Sequence, residues 1–129
     1  LLNATIRENL TLGRDFSDES CLEALNDCCI AEEVMHMPDG LGTLAGENGI
    51  MLSGGQKQRI LLARMLPTHP RLSLLDDATS ALDEKTERKI LETLRERIRR
   101  DNGAAVIVSD SDNVKAMADR ILSIGGNAS

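Results

Sequence analysis

The sequence contains no tryptophan, no tyrosine and a single phenylalanine, Phe16, among its 129 residues. Proteins that bind single-stranded nucleic acid stack bases on aromatic side chains beside a positively charged groove. This chain instead has 21 acidic against 15 basic residues and a formal net charge of -6. The shortage of aromatic and basic residues therefore argues against nucleic-acid binding by this chain.

Long apolar runs and metal-ligand cysteine patterns are also absent. No apolar stretch approaches the ~20 residues of a membrane span, and no signal peptide is recognisable, so membrane contact is expected through other chains or segments. Cys21, Cys28 and Cys29 are odd in number and lack C-x-x-C spacing. They indicate a reducing compartment and small core side chains rather than disulfides or zinc.

The segment Ser53-Gly54-Gly55-Gln56 predicts the start of a helix that runs to about Leu66, before Pro67. Ser53 can cap the helix, and Gln56 three residues later can complete a capping box. Two glycines in a first turn cost up to about 1 kcal/mol each relative to alanine, so they need another reason. A closely approaching phosphate supplies one, because a helix start offers free N-H groups and partial positive charge.

The distribution of charge agrees with an anion site. No Asp or Glu lies between Asn48 and Leu75, in a chain that is acidic overall. Four basic residues fall in that stretch and are predicted to surround the phosphate: Lys57, Arg59, Arg64 and Arg71. Such a local basic stretch raises the concentration of anionic ligands at the site.

Residues 72–75, Leu-Ser-Leu-Leu, predict a short strand buried on both faces of a parallel sheet. Ligands of such sheets bind at the carboxyl ends of the strands, where Asp76 and Asp77 lie. One carboxylate at that position can hold Mg2+, usually through water. Its neighbour can orient or deprotonate an attacking water.

These two motifs resemble a known family. Residues 52–59, LSGGQKQR, resemble the signature motif of ABC-type ATPases, and residues 72–83, LSLLDDATSALD, resemble their Walker B motif and D-loop. Residues 5–10 are similar to the segment after the Q-loop of exporters. Residues 46–49, Gly-Glu-Asn-Gly, resemble the X-loop, which in exporters contacts the transmembrane domains. Ala78 also resembles exporters, since importers more often have proline there.

The resemblance implies an α/β fold, with part of the parallel sheet of P-loop NTPases and an α-helical subdomain. We assign residues 1–51 to the helical subdomain and residues 52–129 to the signature helix, Walker B, D-loop and switch region. ATP and Mg2+ are the implied ligands. The implied contacts with nucleotide come from Ser53, Gly54, Gly55, Gln56 and Asp83, and the implied metal contact comes from Asp76.

In this family the signature of one subunit closes over ATP held by the other. The implied partners are therefore a second nucleotide-binding domain and the transmembrane domains, at the cytoplasmic face of a membrane. No G-x-x-x-x-G-K-[ST] phosphate loop, or Walker A motif, is present in the chain. Together with the first residue, Leu1, this leads us to expect the carboxyl-side portion of a longer domain, unable to hydrolyse ATP alone.

Two positions depart from the family pattern. The catalytic base after the Walker B aspartate is normally glutamate, whereas Asp77 reaches about 1.5 Å less far. A misplacement of ~1 Å can cost roughly a hundredfold in rate. Asp110 stands where the switch histidine is expected and would repel a γ-phosphate rather than donate to it. Asp77 and Asp110 thus predict that the catalytic site of this chain is degenerate. Because the signature motif is intact and would serve ATP held by a partner, the chain is predicted to be one half of a heterodimeric exporter.

Several alternatives remain open at the level of sequence. Asp110 could instead cap the helix that follows it. The whole chain could belong to a soluble ABC ATPase of DNA repair or translation, or be a truncated, non-catalytic ABC fragment.

The other elements follow from caps and apolar periodicity. Capping residues Thr5 and Ser17 predict two early helices, the second reaching about Cys29. Further helices are predicted over residues 31–37, 84–100 and 113–118, and further strands over 104–109 and 120–124.

Overall fold

The computed structural model describes residues 1–47 and 49–125, which form six α-helices and two small sheets. The elements in chain order are β1 (Ala4–Thr5), α1 (Ile6–Thr11), α2 (Asp18–Asp27), α3 (Ala31–Met35), β2 (Leu44–Ala45), α4 (Gly54–Met65), β3 (Leu72–Asp76), α5 (Glu84–Arg100), β4 (Ala104–Val108) and α6 (Asp112–Met117). Strand β1 pairs antiparallel with β2, and β3 pairs parallel with β4. In these two described ranges, no helix combines the length and the apolar character that a membrane span requires.

Local capping determines where the helices begin. Thr5 and Ser53 each form a complete capping box, and the side chains of Ser17 and Asp83 accept from backbone N-H groups of the helices they precede. The predicted starts at Thr5, Ser17 and Ser53 are therefore confirmed. A 3-10 turn, Leu66–Thr68, follows α4 and contains Pro67.

Helix α4 lies at the centre of the hydrophobic core. It packs against α1 and α2, and its buried side chains include Ile60, Leu62 and Ala63. Fully buried partners in the same cluster are Ile6 and Leu25. This core joins residues from both sides of position 51, and the division into two subdomains there stays a prediction.

Two arginines, the partly buried Arg64 and the buried Arg97, connect the helices around this core. The Arg64 guanidinium on α4 donates to the backbone oxygen of Asn9 at 2.5 Å and to its Oδ1 at 3.1 Å. On α5, Arg97 forms ion pairs with Asp27 and Glu23 of α2, the latter at 2.7 Å. Arg64 is therefore a structural residue that joins α1 to α4, rather than part of the predicted basic surround of a phosphate.

The prediction that residues 72–75 are buried on both faces is wrong. Side chains alternate along a strand, so Leu72 and Leu74 lie on the same face of the sheet, together with Val106, which pairs with Leu74. On this face Leu72 is 57% exposed, Leu74 is 72% exposed and Val106 is 56% exposed. Ser73 on the other face is 4% exposed. The reason is that, within the described residues, helices cover only one side of this two-stranded sheet.

The strand predicted over residues 120–124 is also absent from the described residues. Ile121, Leu122 and Ile124 are 62%, 85% and 89% exposed. A strand needs a neighbour to satisfy its backbone hydrogen bonds, and no neighbouring strand reaches this segment in the described part of the chain.

Adjacent leucines on α4 test the position of the core. Leu62 is 2% exposed and Leu61 is 41% exposed. We expect Leu62→Ala to lower the free energy of unfolding by about 2–5 kcal/mol, since it leaves a cavity in a packed interior. The control Leu61→Ala should cost less than about 1 kcal/mol. Urea denaturation of the purified chain measures both, and equal losses would contradict this assignment of the core.

Candidate functional site

The first turn of α4 is held by a capping box. Ser53 Oγ accepts from the N-H of Gln56 at 3.1 Å, and Gln56 Oε1 accepts from the N-H of Ser53 at 2.9 Å. Ser53 and Gly54 are exposed, and the first turn contains no acidic residue. A helix start leaves its first N-H groups without intrahelical partners, so this turn presents free donors and partial positive charge.

The loop after β3, residues 77–83, packs against that turn through Gln58. The Gln58 side chain donates to the backbone oxygen of Asp77 at 3.1 Å and to Ser80 Oγ at 3.0 Å. Its Oε1 accepts from the N-H of Ala81 at 2.8 Å. We call these three contacts the Gln58 bridge. The bridge fixes the loop and the helix start relative to each other.

The glycines of the turn permit this close approach. A Cβ atom at Gly55 would lie 3.0 Å from the backbone oxygen of Ala81, and one at Gly54 would lie 3.4 Å from the Cβ atom of Ala81. Sequence reasoning explained both glycines by the approach of a phosphate. Contact with the loop is a second reason, and it applies most strongly at Gly55.

The predicted acidic residues lie at the carboxyl ends of the two parallel strands. Asp76 is the last residue of β3 and pairs in register with Val108, the last residue of β4, and Asp110 follows two residues later. The N-H of Asp77 donates to the backbone oxygen of Val108 at 2.9 Å, with Asp77 in the left-handed region at φ +50°. This placement is as predicted, whereas the roles of these residues stay predictions.

The carboxylates of Asp76, Asp77 and Asp110 are exposed and make no hydrogen bond or ion pair with other described residues. Asp110 does not cap α6, because the cap residue is Ser111. The alternative role of Asp110 as a helix cap therefore finds no support in the structure. Asp83, the other predicted contact, caps α5 by accepting from the N-H of Thr86 at 2.9 Å, which lowers the pKa of its carboxyl.

An exposed carboxylate at Asp76 fits the chemistry of Mg2+, which prefers hard oxygen ligands. Over the two described ranges, no group of three or more His, Cys, Asp and Glu side chains could hold a metal ion. Mg2+ keeps several waters and is commonly held by one or two carboxylates together with phosphate oxygens. The residues present therefore suit a metal that arrives with a nucleotide, and the role of Asp76 as its ligand stays a prediction.

A buried carboxylate that sequence reasoning missed joins the loops after β3 and β4. Glu87 on α5 is 6% exposed. It accepts from Thr79 Oγ1 at 2.6 Å, from Ser111 Oγ at 2.7 Å and from Asn113 Nδ2 at 2.8 Å. Burial alone would raise the pKa of Glu87, but these three hydrogen bonds outweigh it and hold the pKa below its ordinary value of 4.5. No local sequence pattern signals contacts between residues so far apart in the chain.

A second carboxylate, Glu33 on α3, contacts the capped turn of α4. Its Oε2 accepts from Gln56 Nε2 at 2.9 Å, and its Oε1 accepts from Arg59 Nη1 at 2.7 Å. Partial burial raises the pKa of Glu33, but the hydrogen bonds from Arg59 and Gln56 outweigh it, so the pKa lies below the ordinary value. Arg59 also donates to the backbone oxygen of Cys29 at 2.6 Å. Arg59 is thus occupied in the fold, like Arg64.

Gly46 begins the segment predicted to resemble an X-loop, and it lies beside the start of the chain. Gly46 has φ +99°, and a Cβ there would lie 2.7 Å from the Cα atom of Asn3. Ala45 and Ile50 form a parallel bridge on either side of the loop. Asn48, part of that predicted motif, lies outside the described residues.

Comparison with known proteins identifies the family. The family model described as "ABC transporter" matches residues 2–80, more than half of the chain and both sides of the capped turn. The chain belongs to the ABC transporter family. This confirms the resemblance drawn from the signature and Walker B motifs, and the mixed helix and strand structure agrees with a partial P-loop ABC fold.

Individual relatives are transporters. The chain is 41% identical to the ATP-dependent lipid A-core flippase of Idiomarina loihiensis, over 95% of this chain and 21% of that protein. It is 38% identical to the mitochondrial iron-sulfur clusters transporter ATM1 of Candida albicans, over 95% of this chain and 16% of that protein. These relatives do not favour the soluble repair or translation alternative.

A solved structure shares the fold. It is described as a bacterial Atm1-family ABC exporter with ATP bound, and it superposes with a TM-score of 0.70 at 41% identity. The match covers 83% of this chain and 18% of that one. The chain thus spans about a fifth or less of the length of the relatives it matches.

The buried carboxylate gives a pH-dependent prediction. At pH 7 we expect Glu87→Gln to lower the free energy of unfolding by about 1–3 kcal/mol, since it replaces the charged acceptor of three hydrogen bonds with a neutral amide that has only one acceptor oxygen. Because the folded pKa lies below the ordinary 4.5, the stabilisation by ionised Glu87 is present above pH 4.5 and is lost as pH falls through the folded pKa.

The difference between wild type and Glu87→Gln should therefore narrow as pH falls from about 5 to 3. Denaturant titrations over that range measure it. Glu92 is exposed on the same helix, and Glu92→Gln is the matched control, expected to change stability by less than about 0.5 kcal/mol. A deficit in Glu87→Gln that is independent of pH would contradict an ionised, hydrogen-bonded Glu87.

Proposed function

We propose that this chain forms part of the ATP-binding region of an ABC exporter, in which ATP binding and hydrolysis between two nucleotide-binding domains drive transport. The observation that carries the proposal is the exposed, capped first turn of α4, which the Gln58 bridge holds beside residues 77–83. Its free N-H groups suit a phosphate that approaches from outside the chain. Sequence similarity to the transporters named above supports the coupling of ATP hydrolysis to transport.

The ligand of this turn is the γ-phosphate of ATP held by a second nucleotide-binding domain. Ser53 Oγ and the N-H groups of Gly54 and Gly55 contact the phosphate, with Gln56 closing the cap behind them. Asp83, at the far end of the same loop, faces the shared interface. The donors are preorganised by the cap, so little rearrangement is needed when the two domains close.

The site formed by this chain's own Walker B region is degenerate. Asp76 would hold Mg2+, but Asp77 is too short to place a catalytic water well, and Asp110 supplies a negative charge where a donor is required. An intact signature beside a weak catalytic region supports pairing with a different, competent domain in a heterodimer. The transmembrane domains contact the loop at residues 46–49, and the location we propose for the assembly is the cytoplasmic face of a membrane.

Three variants of the assembled heterodimer test whether this chain contributes a working signature turn but a weak catalytic site. Gly54→Asp brings a carboxylate to the docking position of the partner's γ-phosphate, and we expect at least about a tenfold loss of steady-state ATPase activity from like-charge repulsion. The neutral variant Gly54→Asn has nearly the same shape and should lose less. Asp77→Ala should stay within about twofold of wild type, since it alters a site that is already weak.

Two results would contradict the proposal. A loss from Asp77→Ala as large as that from Gly54→Asp would show that Asp77 is a working base. Equal losses from Gly54→Asp and Gly54→Asn would show that charge at the turn is not the deciding factor.

The chain alone should not bind ATP tightly, because its 129 residues contain no phosphate loop to cradle the nucleotide. Isothermal titration of the purified chain with Mg-ATP is expected to give no saturable binding below about 100 μM, whereas the assembled transporter should bind. Low-micromolar binding by the chain alone would refute this expectation.

A further inference from the structure

The signature turn of α4 is connected to a residue outside both recognised motifs. Glu33 lies on α3, and its carboxylate accepts from Gln56 Nε2 at 2.9 Å. Gln56 Oε1 in turn accepts from the N-H of Ser53 at 2.9 Å. Glu33, Gln56 and Ser53 thus form a continuous chain of hydrogen bonds from α3 to the start of α4.

A carboxylate at this place determines how the Gln56 amide is oriented. An ionised carboxylate can only accept hydrogen bonds, so it pairs with the NH2 end of the amide and turns the carbonyl end towards Ser53. The reversed amide would set an oxygen against Glu33 and an NH2 group against the N-H of Ser53. Both contacts would be repulsive, and the capping box would open.

Arg59 holds the Glu33 carboxylate in the required position. Arg59 Nη1 donates to Glu33 Oε1 at 2.7 Å and to the backbone oxygen of Cys29 at 2.6 Å. Arg59 Nε donates to the backbone oxygen of Gly55 at 3.3 Å. The guanidinium is largely buried, with a side chain 14% exposed, and so anchors Glu33 both to α4 and to the Cys29 backbone, between α2 and α3.

We propose that Glu33 is a positioning residue, which fixes the Gln56 amide and thereby keeps the signature turn shaped for ATP held by the partner domain. This inference rests on the proposed function. Glu33 contacts neither the nucleotide nor the reacting atoms in this account. It acts through Gln56 on the affinity of the closed interface, and not on the chemical step.

The test compares Glu33→Gln with Glu32→Gln in the assembled transporter. Glu32 is the neighbouring exposed carboxylate on α3 and makes no side-chain hydrogen bond or ion pair with other described residues. Glutamine at position 33 can both donate and accept, so it no longer selects one orientation of Gln56. We expect the KM for ATP to rise about threefold in Glu33→Gln while kcat changes little, since partly exposed charged contacts have modest effects.

The direction in which the KM for ATP changes distinguishes a positioning role of Glu33 from a simple effect of its negative charge. Removing a negative charge near an anion site would by itself lower the KM for ATP, and Glu32→Gln measures that effect alone. A rise in KM for Glu33→Gln, with no rise for Glu32→Gln, supports the proposal. An unchanged or lower KM in Glu33→Gln would overturn it.

Hydrogen exchange gives a second readout that does not depend on ATPase activity. The N-H of Ser53 donates a hydrogen bond to Gln56 Oε1. The hydrogen of this Ser53 N-H should therefore exchange faster in Glu33→Gln than in wild type or Glu32→Gln. Unchanged exchange at Ser53 would overturn the proposal even if the KM rose. A wild-type assembly without ATPase activity would instead refute the proposed function, and Ser53 exchange would still decide the role of Glu33.

Discussion

The contact between the first turn of α4 and the loop after β3 is the constraint on which the candidate site depends. One side-chain amide, Gln58, makes three hydrogen bonds to residues 77–81, and the absence of a side chain at Gly55 lets the Ala81 backbone come close. Since Asp77 is also hydrogen-bonded to Val108, the same contact aligns the helix start with the ends of both parallel strands. The signature turn and the Walker B end therefore behave as one structural unit.

Carboxylates in this unit divide into two groups with different physical roles. Glu33 accepts hydrogen bonds from two side chains and Glu87 from three, and these bonds hold the pKa of each below its ordinary value. They stabilise the positions of the turn and the loops. Asp76, Asp77 and Asp110 are exposed and make no such bonds within the described residues. This leaves them available to a metal or to nucleotide.

Sequence predicted the parts of the fold that local chemistry determines. The capping boxes at Thr5 and Ser53 depend on residues three positions apart, and both were predicted correctly. Burial of residues 72–75 and pairing of residues 120–124 depend on neighbouring elements, and both predictions failed. The contacts of Gln58 and Glu87 were missed because their partners lie 8 to 26 residues away, where no periodicity or motif marks them. The position of the candidate site could thus be predicted, whereas the residues that support it could not.

We propose that the turn at Ser53 binds ATP held by another domain. A cryo-electron microscopy structure of the assembled exporter, arrested with ATP before hydrolysis, would decide this. We expect Ser53 Oγ and the N-H of Gly55 to lie within about 3 Å of a γ-phosphate whose other oxygens are held by the partner's phosphate loop. Nucleotide whose phosphates contact none of residues 53–56 of this chain would contradict it.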